Sequence, residues 1–125
     1  MNTLDLFRHS SDTVSFEAGT TLFRPGDPGS EMYVVLEGIV EILVDHVCVE
    51  EAGPGTIVGE LALIDDSPRS ATARAQTGCK LARVDRKRFQ FLISQTPFFS
   101  LHVMKTMADR LRRTDAKWVV KAERG

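Results

Sequence analysis

Most of the features that mark a specialised sequence class are missing from this chain. Its 125 residues include only two cysteines, one tryptophan and one tyrosine, too few for a disulfide scaffold or an aromatic-rich surface. Its apolar runs are only a few residues long, far short of the ~20 that a membrane-spanning helix needs. A net charge of -1 gives no overall drive toward nucleic acid or anionic membranes. The three histidines, His9, His46 and His102, have no spacing that brings two imidazoles and a carboxylate together, which argues against a metal enzyme built on a β-roll. There is also no nucleophile motif and no Walker loop. Cys48 and Cys79 lie in apolar, strand-like stretches and are expected as two buried free thiols. No signal peptide is recognisable, so a cytoplasmic setting is expected.

The remaining composition is that of an ordinary globular domain, with 42% hydrophobic and 26% charged residues, enough for one domain with a modest core. Glycine is unevenly placed: eight of nine fall between Gly19 and Gly78, and the ninth is Gly125. The chain therefore divides into a turn-rich part that reads as β-structure and a turn-free part that reads as helix. Strands are predicted at Thr13–Phe16, Thr21–Arg24, Met32–Glu37, Ile39–Val44, Val47–Ala52 and Ser70–Gln76, each rich in β-branched residues and bounded by Gly, Pro or Asp. In the last of these, alanines 71, 73 and 75 alternate with Thr72, Arg74 and Gln76, as on a strand with one tightly packed face and one wet face. Regular short strands suggest a sandwich or barrel.

Leu4, Leu6 and Phe7 suggest a short helical turn before the strands. Asp85 is a plausible N-cap for a helix carrying Phe89, Leu92 and Ile93, which Gln95-Thr96-Pro97 ends. A second helix then starts at Pro97 and runs to about Val120, with Leu101, Met104, Met107 or Ala108, Leu111 and Trp118 on one broad face. Charge is also uneven. Residues 98–125 carry seven Lys and Arg against three acids, whereas residues 1–97 carry nine against fourteen.

The most informative stretch is Gly59-Glu60-Leu61-Ala62-Leu63, followed through Asp65-Asp66-Ser67-Pro68 by Arg69-Ser70-Ala71-Thr72. A glycine permits close backbone approach, the first turn of a helix presents free N–H groups, and an arginine arrives on the next strand, which together make a phosphate cradle. Glu60 would repel a phosphate if it pointed at one, so its task here is to accept hydrogen bonds from a hydroxyl. Phosphate and sugar hydroxyl together indicate a nucleotide. Taken alone, Arg69 is also an ordinary surface arginine, Ser70 an ordinary turn serine and Glu60 an ordinary first-turn acid. Leu63, Ile64, Val47 and Val49 read as core, with one of the valines a candidate apolar wall.

The stretch resembles the phosphate-binding cassette of cyclic nucleotide-binding domains, the family of catabolite activators, kinase regulatory subunits and cyclic-nucleotide-gated channels. Phe16-Glu17-Ala18-Gly19, Leu22, Pro25-Gly26-Asp27 and Met32-Tyr33-Val34-Val35-Leu36-Glu37-Gly38 match that family's opening strands in order, so the resemblance covers roughly residues 14–113. It implies a mainly β fold with flanking helices: a double-stranded, jelly-roll-like β-roll over residues 13–84, an N-terminal helical segment at 1–12, and helices at 85–125 whose last member is a lid. It further implies a bacterial stand-alone member and a ligand set of Gly59, Glu60, Leu61, Ala62, Arg69, Ser70, Ala71 and Arg110. Arg69 would pair with the phosphate, Glu60 with the ribose 2′-OH and the Leu61 and Ala62 amides with the phosphate, while Arg110 stacks on the purine as a lid, with Trp118 as a rival cap.

Three positions depart from the family pattern. Val58 replaces a common Phe, Asp45-His46 makes an unusually short hairpin, and Ser70 is not the threonine that favours cGMP in eukaryotic members. The ligand implied is therefore cAMP, with cGMP weaker, and no cofactor, metal or catalysis is expected. Direct DNA binding is not expected of these residues; the alternatives are the same fold acting as a protein-interaction module without ligand, or a fragment of a catabolite-activator-type transcription regulator. The output would pass to an unknown protein partner or effector domain, or to a second copy through the last helix.

Overall fold

The computed structural model describes residues 2–65 and 68–124, with side chains described as far as residue 112. The elements run α1 (Thr3–Phe7), β1 (Thr13–Phe16), β2 (Thr21–Phe23), β3 (Glu31–Glu37), β4 (Val40–Val44), β5 (Val47–Ala52), β6 (Ile57–Val58), α2 (Leu61–Asp65), β7 (Thr72–Ala75), β8 (Cys79–Asp85), α3 (Arg86–Gln95) and α4 (Pro97–Arg124). Two antiparallel four-stranded sheets, in the orders β1-β8-β3-β6 and β2-β7-β4-β5, make the jelly-roll-like core. The β-roll, the short helices and the long last helix are those expected.

The middle strand β3 explains the continuous apolar run Met32-Tyr33-Val34-Val35. A strand buried on both faces cannot alternate apolar with polar residues. Met32 and Val34 pack with Phe7, Phe89, Leu92, Phe99 and Val103 under the helices. Tyr33 and Val35 pack with Val40, Val58, Ala73, Ala75 and Leu81 between the sheets. Ala73 and Ala75 are fully buried while Arg74 between them is exposed, the two-faced strand that the alternation suggested.

Local signals placed the helix ends. Asp85 caps α3, its carboxylate accepting from the Arg88 amide at 2.8 Å, and the Thr96 amide closes the helix on the Leu92 carbonyl before Pro97 opens α4. Asp45 and His46 form the two-residue β4–β5 turn with φ of 51° and 66°. Two consecutive left-handed residues match the twist of the strands they join, which is why so short a hairpin closes.

Several expectations are corrected. Strands β6 and β8 lie in stretches to which no strand was assigned; β8 is central, pairing with both β1 and β3, but Lys80 and Arg83 break its apolar pattern. Cys48 is exposed and Cys79 is buried: Cys48 lies on β5, the edge strand of its sheet among the described residues, whereas Cys79 opens the central β8. Of the apolar face expected along α4, Met107 packs on the core, but Leu101, Met104 and Leu111 do not and are exposed. Phe99, Val103 and Met107 turn to the core at four-residue steps. The sequence carries two apolar stripes along this helix, and only the packing partner distinguishes them. Trp118 lies outside the side chains described.

Candidate functional site

The expected site residues converge on one cavity of about 630 Å³, which Gly59, Glu60, Leu61, Ala62, Arg69, Ser70, Ala71 and Arg110 all line. The remaining wall is mainly apolar and includes Phe23, Ile42, Val47 and Val49. The two valines had been read chiefly as core, but both line this space and Val47 is largely exposed. Of the other two, Leu63 is core and Ile64 is exposed.

Gly59 turns the chain from β6 into α2 with φ +84°. A Cβ there would also stand 2.5 Å from Arg69 Nη1, so glycine is required both by the backbone and by the arginine beside it. Leu63 and Ile64 make the first helical bonds back to the Glu60 carbonyl. The preceding amides of Leu61 and Ala62 therefore have no place in the helical ladder, as at any helix start.

Arg69 is fastened at both backbone and side chain. Its amide donates to the Asp27 carbonyl at 2.9 Å and its own carbonyl accepts from Gly26 at 2.8 Å. Nη1 donates to the Gly59 carbonyl at 2.8 Å and Nη2 to the Glu31 carbonyl at 2.6 Å, while the guanidinium lies 4.2 Å over the Phe23 ring. A Cβ on Gly29 would stand 2.3 Å from the Ala62 Cβ and 3.1 Å from Arg69 Nε, so a second glycine makes room for Ala62 as well as for this side chain. Burial pulls the Arg69 pKa below its ordinary value, and Nε has no hydrogen-bond partner among the described residues.

Glu60 is fully buried. Its Oε1 pairs with Nη1 of Arg110, and Oε2 has no partner among the described residues. Arg110 reaches in from α4 and also donates through Nε to Glu50 Oε1 at 3.2 Å, and through Nη2 to Glu50 Oε2 at 3.2 Å and the Ile57 carbonyl at 2.9 Å. Burial opposes its charge, but the Glu50 and Glu60 carboxylates outweigh that and raise the Arg110 pKa. Glu50 was missed in the sequence. An acid inside the β-branched run of β5 was the available signal, but it marks a site only once α4 is known to cross that strand. Among the described residues no group of three or more His, Cys, Asp or Glu is placed to hold a metal, and no helix is long and apolar enough to cross a membrane.

Comparison with known proteins agrees with this geometry. Residues 13–96 match the family described as cyclic nucleotide-binding domain, and the chain belongs to that family. A cyclic nucleotide-gated potassium channel of Mesorhizobium japonicum is 39% identical over 93 residues, covering 74% of this chain and 26% of the channel. A CRP-like cAMP-activated global transcriptional regulator of Mycobacterium tuberculosis is 32% identical over 107 residues, covering 82% of this chain and 48% of the regulator. The crystal structure of the Thermus thermophilus catabolite activator protein superposes with a TM-score of 0.82 at 27% identity, covering 96% of this chain and 59% of that one. The chain thus spans between a quarter and about half of these two curated relatives. What it shares with them is a regulatory binding module, not a catalytic domain.

Proposed function

We propose that the cavity binds a cyclic nucleotide, with cAMP preferred and cGMP a weaker ligand, and that occupancy is reported through α4. The observation that carries this reading is a pair of buried atoms in one cavity wall without a partner among the described residues: the Arg69 Nε donor and the Glu60 Oε2 acceptor. A buried polar group left unpaired costs about 1–3 kcal/mol, more when charged. One ligand carrying both an anionic oxygen and a hydroxyl satisfies the two together. Arg69 takes the phosphate, aided by the Leu61 and Ala62 amides and flanked by Ser70 and Ala71. Glu60 accepts from the ribose 2′-OH, the β5 valines wall the purine, and Arg110 covers it. Serine rather than threonine at position 70 favours cAMP. The names of the channel and regulator relatives, which couple cyclic nucleotide or cAMP to gating and activation, support the same ligand class.

Nucleotide binding shifts the equilibrium between positions of α4, and the output passes to a protein partner, an effector domain or a second copy. The exposed Leu101, Met104 and Leu111, at 63%, 56% and 62% of full exposure, offer a face for a second copy of the helix, and light scattering with and without nucleotide tests this. DNA reading is not assigned to these residues, and the free state of both cysteines suits a reducing, cytoplasmic setting.

Titration calorimetry with cAMP and cGMP on the wild type and on Arg69→Leu tests the reading. The variant should lose about 2–5 kcal/mol of binding, as for truncation of a desolvated charge contact. Absence of heat from both nucleotides in the wild type overturns the ligand class, and equal affinities in the two proteins overturn the role of Arg69.

A further inference from the structure

Arg110 is not held by the cassette alone. Two edges of its guanidinium meet two different carboxylates: Nη1 meets Glu60, while Nε and Nη2 form a two-point fork with Glu50 on β5. The fork is largely withdrawn from water, the two side chains being 24% and 15% exposed. A planar fork on a carboxylate fixes the orientation of a guanidinium as well as its distance, which a single contact does not. Glu60 therefore contributes one oxygen to the helix and keeps the other, Oε2, buried and without a partner among the described residues.

We infer that Glu50 is the positioning residue for the α4 lid: its fork anchors Arg110, and with it the helix, against the edge strand, so that a ligand hydroxyl can take Glu60 Oε2 without expelling the helix. Without the fork, Arg110 would keep only the Ile57 carbonyl and one oxygen of the carboxylate that the ligand also engages. With Glu50 present, helix and ligand use different oxygens of Glu60 while the helix stays independently held, and binding does not oppose docking of the helix. This inference rests on the cyclic nucleotide reading for its ligand, but the anchoring itself is a property of the protein without ligand.

The test combines Glu50→Gln, Arg110→Gln and the double variant, with hydrogen exchange of α4 amides up to residue 112 in the absence of nucleotide and calorimetric titration with cAMP. Glutamine keeps the volume of Glu50 and removes its charge, and thermal melts confirm that each variant folds. Glu50→Gln should speed exchange along α4 and weaken cAMP binding, each roughly tenfold, within the range of ordinary coupling between sites. Arg110→Gln should do at least as much, and the double variant should match Arg110→Gln alone, because the two residues act as one unit. Glu50→Asp, which restores the charge, should recover part of both losses. Additive effects in the double variant, or unchanged α4 exchange in Glu50→Gln, overturn the inference. If the wild type gives no heat with either nucleotide but the exchange results hold, the ligand reading fails and the anchor stands.

Discussion

Arg69 and Arg110 line the same cavity and are held by opposite chemistry. The Arg69 guanidinium hydrogen-bonds to two backbone carbonyls, which orient the group but carry no formal charge. Arg110 is clasped by two carboxylates, which more than neutralise it. Burial accordingly lowers the pKa of Arg69, whereas the surrounding acids raise that of Arg110 against the same opposing burial. An arginine held by dipoles still seeks an anion, and an arginine held by carboxylates serves as a clasp. Residue type alone does not separate these roles; the partners do.

The sharpest way to break this contrast is to remove each cation in turn and compare stability. Arg110→Met leaves Glu60 buried with its charge uncompensated and should cost about 3–5 kcal/mol in denaturant unfolding, as for a broken buried pair. Adding Glu60→Gln should return much of that loss. Arg69→Leu strands no carboxylate at hydrogen-bonding distance and should lower stability less than Arg110→Met does, while removing more nucleotide affinity. Equal losses of stability would erase the distinction.

A smaller effect sharpens the Arg69 side. Gly59→Ala forces an L side chain into φ +84° beside the guanidinium and should cost about 1–3 kcal/mol of stability, with weaker nucleotide binding because Arg69 must shift. A circular dichroism melt and a titration measure the two.

The smallest effect concerns the docking of α4 rather than either arginine. Burial, and then nearby Lys105, lower the His102 pKa below its usual 6.5, and the ring meets the Thr3 hydroxyl on α1 at 2.5 Å. The unfolded chain then binds this proton at a higher pH than the folded one. The His102 contribution is therefore complete above about pH 6.5 and is lost as pH falls below it. Between pH 7 and 5 the wild type should lose slightly more melting temperature than His102→Gln; parallel curves would remove His102 from the pH response.

Much of this arrangement was legible before the fold. The cassette could be read because its requirements are local: Gly59 for the turn, Glu60 and the next two amides at a helix start, and Arg69 after Pro68. The Asp85 cap and the Pro97 start were legible for the same reason, since capping involves residues within one turn. β8 was not, because Arg83 in that strand is balanced by Asp12 at 2.9 Å, 71 residues away. Nor was the α4 face, where Phe99 gains its partners from Phe7 and Phe89 in two other helices.

The sequence by itself determined a β-structure of short strands followed by helices, and the local Gly59-Glu60 to Arg69-Ser70 cassette, because turn chemistry, strand alternation and helix caps act over a few residues; the β-roll and Arg110, 41 residues beyond Arg69, were legible only through resemblance to a family. Tertiary structure alone decided which stripe of α4 is buried, that β5 is an edge strand exposing Cys48, and that Glu50 and Glu60 grip Arg110 from two sides. Those outcomes depend on which distant elements come within a few ångströms, where burial removes the water that would otherwise screen each charge.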